Sequence, residues 1–202
     1  MTSSGLRRKL SELARDFKEK NPDVWDILLY GSSVKGKERP NDVDIAVILE
    51  EGDPFKMAFH FKTALEEAGF SPEELDVKGF LLKELFDENN LVSLALLVEG
   101  YSLLKGRFLY ESLNARGYTL FRFSYSSLPQ NEKVRFIYSL RGRRKEGGIL
   151  KRLNALELAP GIVLVPISAT FEFAEFLRRW GLDYERAPVL MGELTGVVVG
   201  NE

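Results

Sequence analysis

The chain has 202 residues, 45% hydrophobic and 29% charged, with a formal net charge of −2, an ordinary composition for a soluble globular protein of one large or two small domains. It has no Cys and a single His, His60, which excludes disulfides, thiolate metal sites and multi-His metal sites. No run approaches the roughly 18 apolar residues of a membrane span, and the N-terminus lacks the pattern of a secretory leader, so a cytoplasmic protein without membrane attachment is expected. One Gln, no Cys and many Lys, Arg and Glu lean toward a thermophilic source.

In chain order, Ser3 or Ser4 opens a helix to about Lys20, with Leu6, Leu10, Leu13, Ala14 and Phe17 on one face. Asn21-Pro22 stops it. Asp26 to Tyr30 reads as a buried strand, and Ser32 to Lys35 as a short helix start. Val43 to Leu49 is a second strand. Pro54 starts a helix that Gly69 ends. Leu75 to Leu81 is a third strand and holds Asp76. Leu82–Asp87 and Leu91–Glu99 look helical, and Tyr101–Leu104 is a short strand. Residues 106–117 form a candidate boundary, giving domains 1–106 and 107–202. Beyond it, Tyr118–Tyr125 alternates like a half-buried strand. Pro129–Leu140 is a helix, Arg141–Gly148 a basic Gly-rich loop and Gly161–Pro166 a strand. Ser168 caps a helix to about Trp180, and the tail from Gly192 reads as extended or loose. The expected class is α/β (α+β), with a mixed sheet and a basic C-terminal α/β subdomain.

The chemistry concentrates in LLYGSSVKGKERPNDVDIAVIL. An apolar strand ends at Gly31-Ser32, a polar basic linker follows, and Asp42-Val43-Asp44 opens the next strand. Alternation along a strand puts Asp42 and Asp44 on one side. Two metal ions clamping an in-line phosphoryl displacement need about three carboxylates on adjacent strands, and Asp76 is the best third. With no Cys and one His, any metal must be held by oxygen, which favours magnesium, manganese or calcium. Gly31 allows close backbone approach, and Ser32 offers a hydroxyl and a backbone N–H to an anion. A one-residue register slip would turn Asp76 to the opposite face.

An apolar run ending in Gly-Ser, about ten residues, Asp-x-Asp in a second apolar run and a later single Asp together resemble the nucleotidyltransferase superfamily that includes DNA polymerase β. The small prokaryotic nucleotidyltransferase-like branch is the nearest in pattern. The resemblance covers about residues 20–105. Asn41 stands where many members have Ser. The resemblance implies that Gly31 and Ser32 bind the phosphates of a nucleoside triphosphate and that Asp42 and Asp44 hold metal. Asp76 would hold metal and help activate the attacking hydroxyl. The implied catalytic set is therefore Asp42, Asp44 and Asp76, with magnesium (or manganese) as cofactor and an NTP as substrate. Lys35, Lys37 and Arg39 either steer phosphate or stand as solvated loop charges; Lys35 is carried with Gly31 and Ser32 as a nucleotide-binding candidate.

Charge is unevenly distributed: residues 1–115 hold 15 Lys and Arg against 21 Asp and Glu, and residues 116–186 hold 13 against 7. Arg141, Arg143, Arg144, Lys145, Lys151 and Arg152 cluster near Phe121, Phe123, Tyr125, Phe136 and Tyr138. Such a cluster suits phosphate or nucleic acid, RNA or DNA, although many of the aromatics must serve the core. The expected activity is transfer of a nucleoside monophosphate from an NTP to a hydroxyl on an RNA end, a protein or a small molecule. The alternatives are a non-catalytic nucleotide- or nucleic-acid-binding module and an antitoxin-type partner of a toxin protein.

Overall fold

The computed structural model describes residues 3–37, 42–87, 92–143 and 146–192. Helix α1 (Ser3–Lys20) buries Leu10, Ala14 and Phe17, the face its apolar spacing predicts. Strand β1 (Val24–Tyr30) leads into a 3₁₀ turn (Gly31–Val34), then β2 (Val43–Leu49), α2 (Pro54–Glu67) and β3 (Leu75–Leu81). Asp53 caps α2 by accepting the Lys56 N–H at 3.1 Å, with Pro54 following as the first helical residue. A 3₁₀ turn (Leu82–Phe86) precedes α3 (Ser93–Glu99), so the predicted helix at 82–87 forms only a tighter turn. Strands β4 (Tyr101–Ser102) and β5 (Arg107–Phe108) complete a five-stranded sheet of order β3-β2-β1-β4-β5. Only the β2–β3 pair is parallel, with α2 as its crossover.

This sheet is buried on both faces. Ile27, Leu29, Ile45, Val47 and Phe61 belong to the core under α1 and α2. Leu28, Tyr30, Ala46 and Ile48 pack with Leu96 of α3 and with Leu85 and Leu109. Burial on both sides explains why β1 and β2 read as continuous apolar runs.

The second half is built on β6 (Ala115–Phe123), α4 (Gln130–Arg141), β7 (Gly142–Arg143), β8 (Glu146–Gly147), α5 (Ile149–Arg152), β9 (Leu156–Ala159), β10 (Ile162–Pro166), α6 (Thr170–Arg179) and β11 (Tyr184–Gly192). Its antiparallel sheet runs β11-β6-β10-β9. Phe121, Phe123, Val163 and Val165 face Phe136, Leu140, Phe173 and Leu177 from the helices. Two sequence expectations are corrected here. The basic stretch 141–148 is not an open loop, because Gly142 and Arg143 pair with Gly147 and Glu146 as a β-hairpin. Ser168 does not cap α6; a 3₁₀ turn (Ile167–Ala169) leads into it and its N-cap residue is Ala169. Strands β9 and β11 lack a sequence signal of their own, since β11 alternates weakly and pairs along the whole of β6.

The first sheet ends at Phe108 and the second begins at Ala115, close to the expected boundary, but the two halves share packing. Ile167 lies in the core of the first sheet. The Phe171 N–H donates to the Lys35 carbonyl at 3.1 Å. Gly36 has φ +84°, and a Cβ there would overlap the Ser168 carbonyl. Lys35 pairs with buried Glu99 at 2.8 Å. No helix among the described residues is long and apolar enough to cross a membrane.

Candidate functional site

Strand register decides which side chains can meet. Tyr30 pairs with Asp44 across β1–β2, and Asp44 with Asp76 across β2–β3. Laterally paired residues share a face, so Tyr30, Asp44 and Asp76 form one row over three strands. Asp42, two residues before Asp44, is exposed beside them. The expected register of Asp76 is therefore the observed one.

The turn after β1 closes on this row. Gly31 has φ +68°, open to glycine and disfavoured for other residues, and a Cβ on it would overlap the Asp44 carboxylate. The Ser32 backbone N–H hydrogen-bonds that carboxylate. The Ser32 Oγ is buried with no hydrogen-bond partner. Two anchors brace the turn: Arg7 donates to the Ser33 carbonyl at 3.3 Å, and Ser33 Oγ to the Asp42 carbonyl at 3.4 Å.

Electrostatics mark the same place. Burial first, then the nearby Asp42 and Asp76, raise the Asp44 carboxyl above its ordinary range, while Lys78 and the Ser32 N–H pull it down. Burial, with help from Asp44 and Asp76, also pushes the Tyr30 phenol up, and its hydroxyl has no partner. Lys78 holds Asp76 through an ion pair of 2.7 Å. Among the described residues, no three carboxylates stand close enough together to form a ready-made metal cage. The donor set is nonetheless all oxygen, the Ser32 hydroxyl is unmatched, and Asp44 lies in an excess of negative charge. A hard divalent cation suits that combination.

Other candidates are dispersed. Lys35 is mostly buried and engaged by Glu99. Arg141 makes a two-pronged bond to Glu157 at 2.7 and 2.6 Å, clamping α4 to β9. Arg152 pairs with Glu172, and Arg143 stacks over the Tyr138 ring at 5.2 Å. Lys151 is exposed beside Gly147. Arg144, Lys145 and Arg39 lie outside the described residues. Phe121, Phe123 and Phe136 are core residues, and Tyr125 packs on that core. His60 is exposed on α2.

Sequence reasoning passed over two residues of the row. Lys78 lies two residues after Asp76 on a strand, so alternation alone puts the two on one face. Tyr30 is the last strand residue before Gly31. It also passed over Asp26, fully buried on β1, which accepts from Ser102 Oγ at 2.7 Å and pairs with Lys105 at 2.9 Å, tying β1 to the β4–β5 corner.

A five-stranded mixed sheet in which a Gly-Ser turn closes on acids from two parallel neighbouring strands is consistent with a nucleotidyltransferase fold. Residues 12–97 match the family described as Polymerase beta, Nucleotidyltransferase, a match consistent with the polymerase β-like nucleotidyltransferase superfamily. The match ends in α3, before the second sheet begins. No curated protein and no solved structure matches the chain.

Proposed function

We propose that the protein is a magnesium-dependent nucleotidyltransferase that moves a nucleoside monophosphate from an NTP to a hydroxyl acceptor. The observation that carries this reading is the register that aligns Asp44 with Asp76 beside the Gly31-Ser32 turn. Asp42, Asp44 and Asp76 would hold magnesium or manganese, which when bound neutralises the phosphates and activates the reacting oxygens. Gly31 and Ser32 cradle the triphosphate: the glycine leaves room for close approach, and the unmatched Ser32 hydroxyl donates to a phosphate oxygen. The acceptor oxygen bonds to the α-phosphorus, the bond to pyrophosphate breaks, and Asp76 takes the hydroxyl proton. Burial of the Tyr30 phenol keeps a neutral donor beside the carboxylates. The acceptor is an RNA end, a protein hydroxyl or a small molecule, and the setting is the cytoplasm.

The test is label transfer from each α-labelled NTP with magnesium, to the protein itself and to a short RNA. Wild type should label an acceptor and Asp44→Ala should not; equal label from both proteins overturns the reading.

A second reading has its own observation. The Lys78 ammonium sits on Asp76, where it supplies positive charge without metal. A domain of this kind would bind a nucleotide and not turn it over. Lys78→Met separates the two readings. If Lys78 replaces metal, the variant loses nucleotide affinity measured in EDTA; in the enzyme reading its divalent-ion affinity rises.

A further inference from the structure

The second half carries a groove that the carboxylate row does not use. A trough of about 800 Å³ runs between Gly36-Lys37 and the exposed side of α6. A bay of about 430 Å³ follows, between α4 and the β7–β8 hairpin. Both are lined by Ile149, Arg152 and Phe176, so they adjoin. Two acids in the trough are matched internally, Glu172 by Arg152 and Glu175 by Arg178. Arg143 and Arg179 have no carboxylate partner among the described side chains and give the groove a positive excess. Aromatic surface recurs along it: Phe171 with Lys37 over its ring, Phe176, and Tyr138, which is 45% exposed.

We propose that this groove binds a single-stranded nucleic acid. Unmatched arginines spaced along a channel track a phosphate backbone, and aromatic faces between them stack bases without reading sequence. A small anion would need one enclosed cationic pocket, whereas these groups are strung along an elongated trough. A duplex hides its base faces and gains nothing from Tyr138, Phe171 or Phe176. The groove also begins at Lys37, within a short stretch of chain from the candidate active site. Lys37 and Asp42 are five residues apart, so their Cα atoms lie within roughly 18 Å. In the reading above, which this second step rests on, the bound strand is the acceptor and its terminal hydroxyl enters at that end.

The test is fluorescence anisotropy with labelled 12-nucleotide RNA and DNA of one sequence, without nucleotide or metal. Wild type should bind one or both single strands more tightly than the matching duplex. The two strands tell ribose from deoxyribose preference. Arg143→Glu and Arg179→Glu should each weaken binding about tenfold and lower the slope of log affinity against log salt by about one. Tyr138→Ala should weaken it about fivefold or more with the slope unchanged, the signature of lost stacking. Asp44→Ala should bind as wild type does, so failed transfer and failed binding remain separable. Unchanged affinity in both arginine variants, with melting temperatures near wild type, overturns the proposal, as does a duplex that binds as tightly as the single strands.

Discussion

Asp42, Asp44 and Asp76 lie at one end of the first sheet with the Lys78 ammonium against Asp76, whereas two of the cations clustered in the second half's sequence are matched one by one to acids. Arg141 goes to Glu157 and Arg152 to Glu172, while Arg143 lies over the Tyr138 ring with no carboxylate among the described side chains to match it. The acids are adjacent because strand register forces them together, and the Gly31 backbone presses on Asp44 from the other side. The arginines sit on helix ends and a hairpin, where each long side chain swings to its own partner. Net charge along a sequence is thus a weaker guide to a site than charge the fold leaves uncompensated. By that measure the acidic row is one such place, and Arg143 with Arg179 is the other.

The comparison can be broken most directly at Asp44. Asp44→Ala should lower label transfer on the order of 10³-fold, since the charge stabilisation it anchors is worth several kcal/mol; single-turnover rates check this. Lys35→Met asks whether the halves are matched internally where they meet. It leaves Glu99 buried and unpaired, and should cost about 3–5 kcal/mol in urea unfolding. Ile167→Ala sharpens the point, because this second-half residue sits in the first half's core. It should cost about 2–5 kcal/mol and move the unfolding of both sheets together, as followed by Trp25 and Trp180 fluorescence in single-Trp variants. Gly31→Ala should cost about 1–3 kcal/mol from backbone strain alone and displace Asp44, so transfer falls even where the protein stays folded.

The smallest effect is a pH dependence. Folding raises the Asp44 carboxyl, so the folded state holds its proton more tightly than the unfolded chain does. The stability this gives is full below the ordinary carboxylate range and is lost as pH rises through the raised folded value. Metal-free Asp44→Asn should therefore melt above wild type at pH 7.5, and the gap should close near pH 4. A gap that widens toward acid would reverse the sign of the argument.

Much of the first half was legible. Val43–Leu49 and Leu75–Leu81 form strands with the expected bounds; double-sided burial writes an uninterrupted apolar run from Ile45 to Leu49 in the first of them. Asp76 was legible once a parallel β2–β3 pair was assumed; its Lys78 partner follows from strand alternation. The second half was less so. β11 carries Glu185, Arg186 and Pro188 and exists through pairing with β6, a tertiary cause that no local pattern records. The groove unites Lys37 with Arg143 and Arg179, each more than a hundred residues from it, so no window of sequence displays it.

The Lys35 peptide ends the turn that follows β1, and its carbonyl receives the N–H of Phe171, the second residue of α6. One residue on, Gly36 is packed so tightly on Ser168 that the two segments have no room to slide. The turn and the helix are therefore joined at residues 35–36 by a hydrogen bond and a close backbone approach. If both ligands bind as proposed, one that tilts α6 would pull on the turn beside Asp44, and a nucleotide that tightens the turn would pull on α6. Linkage makes any such influence equal in both directions, so a protein already holding one ligand would meet the other in a shape that the first has chosen.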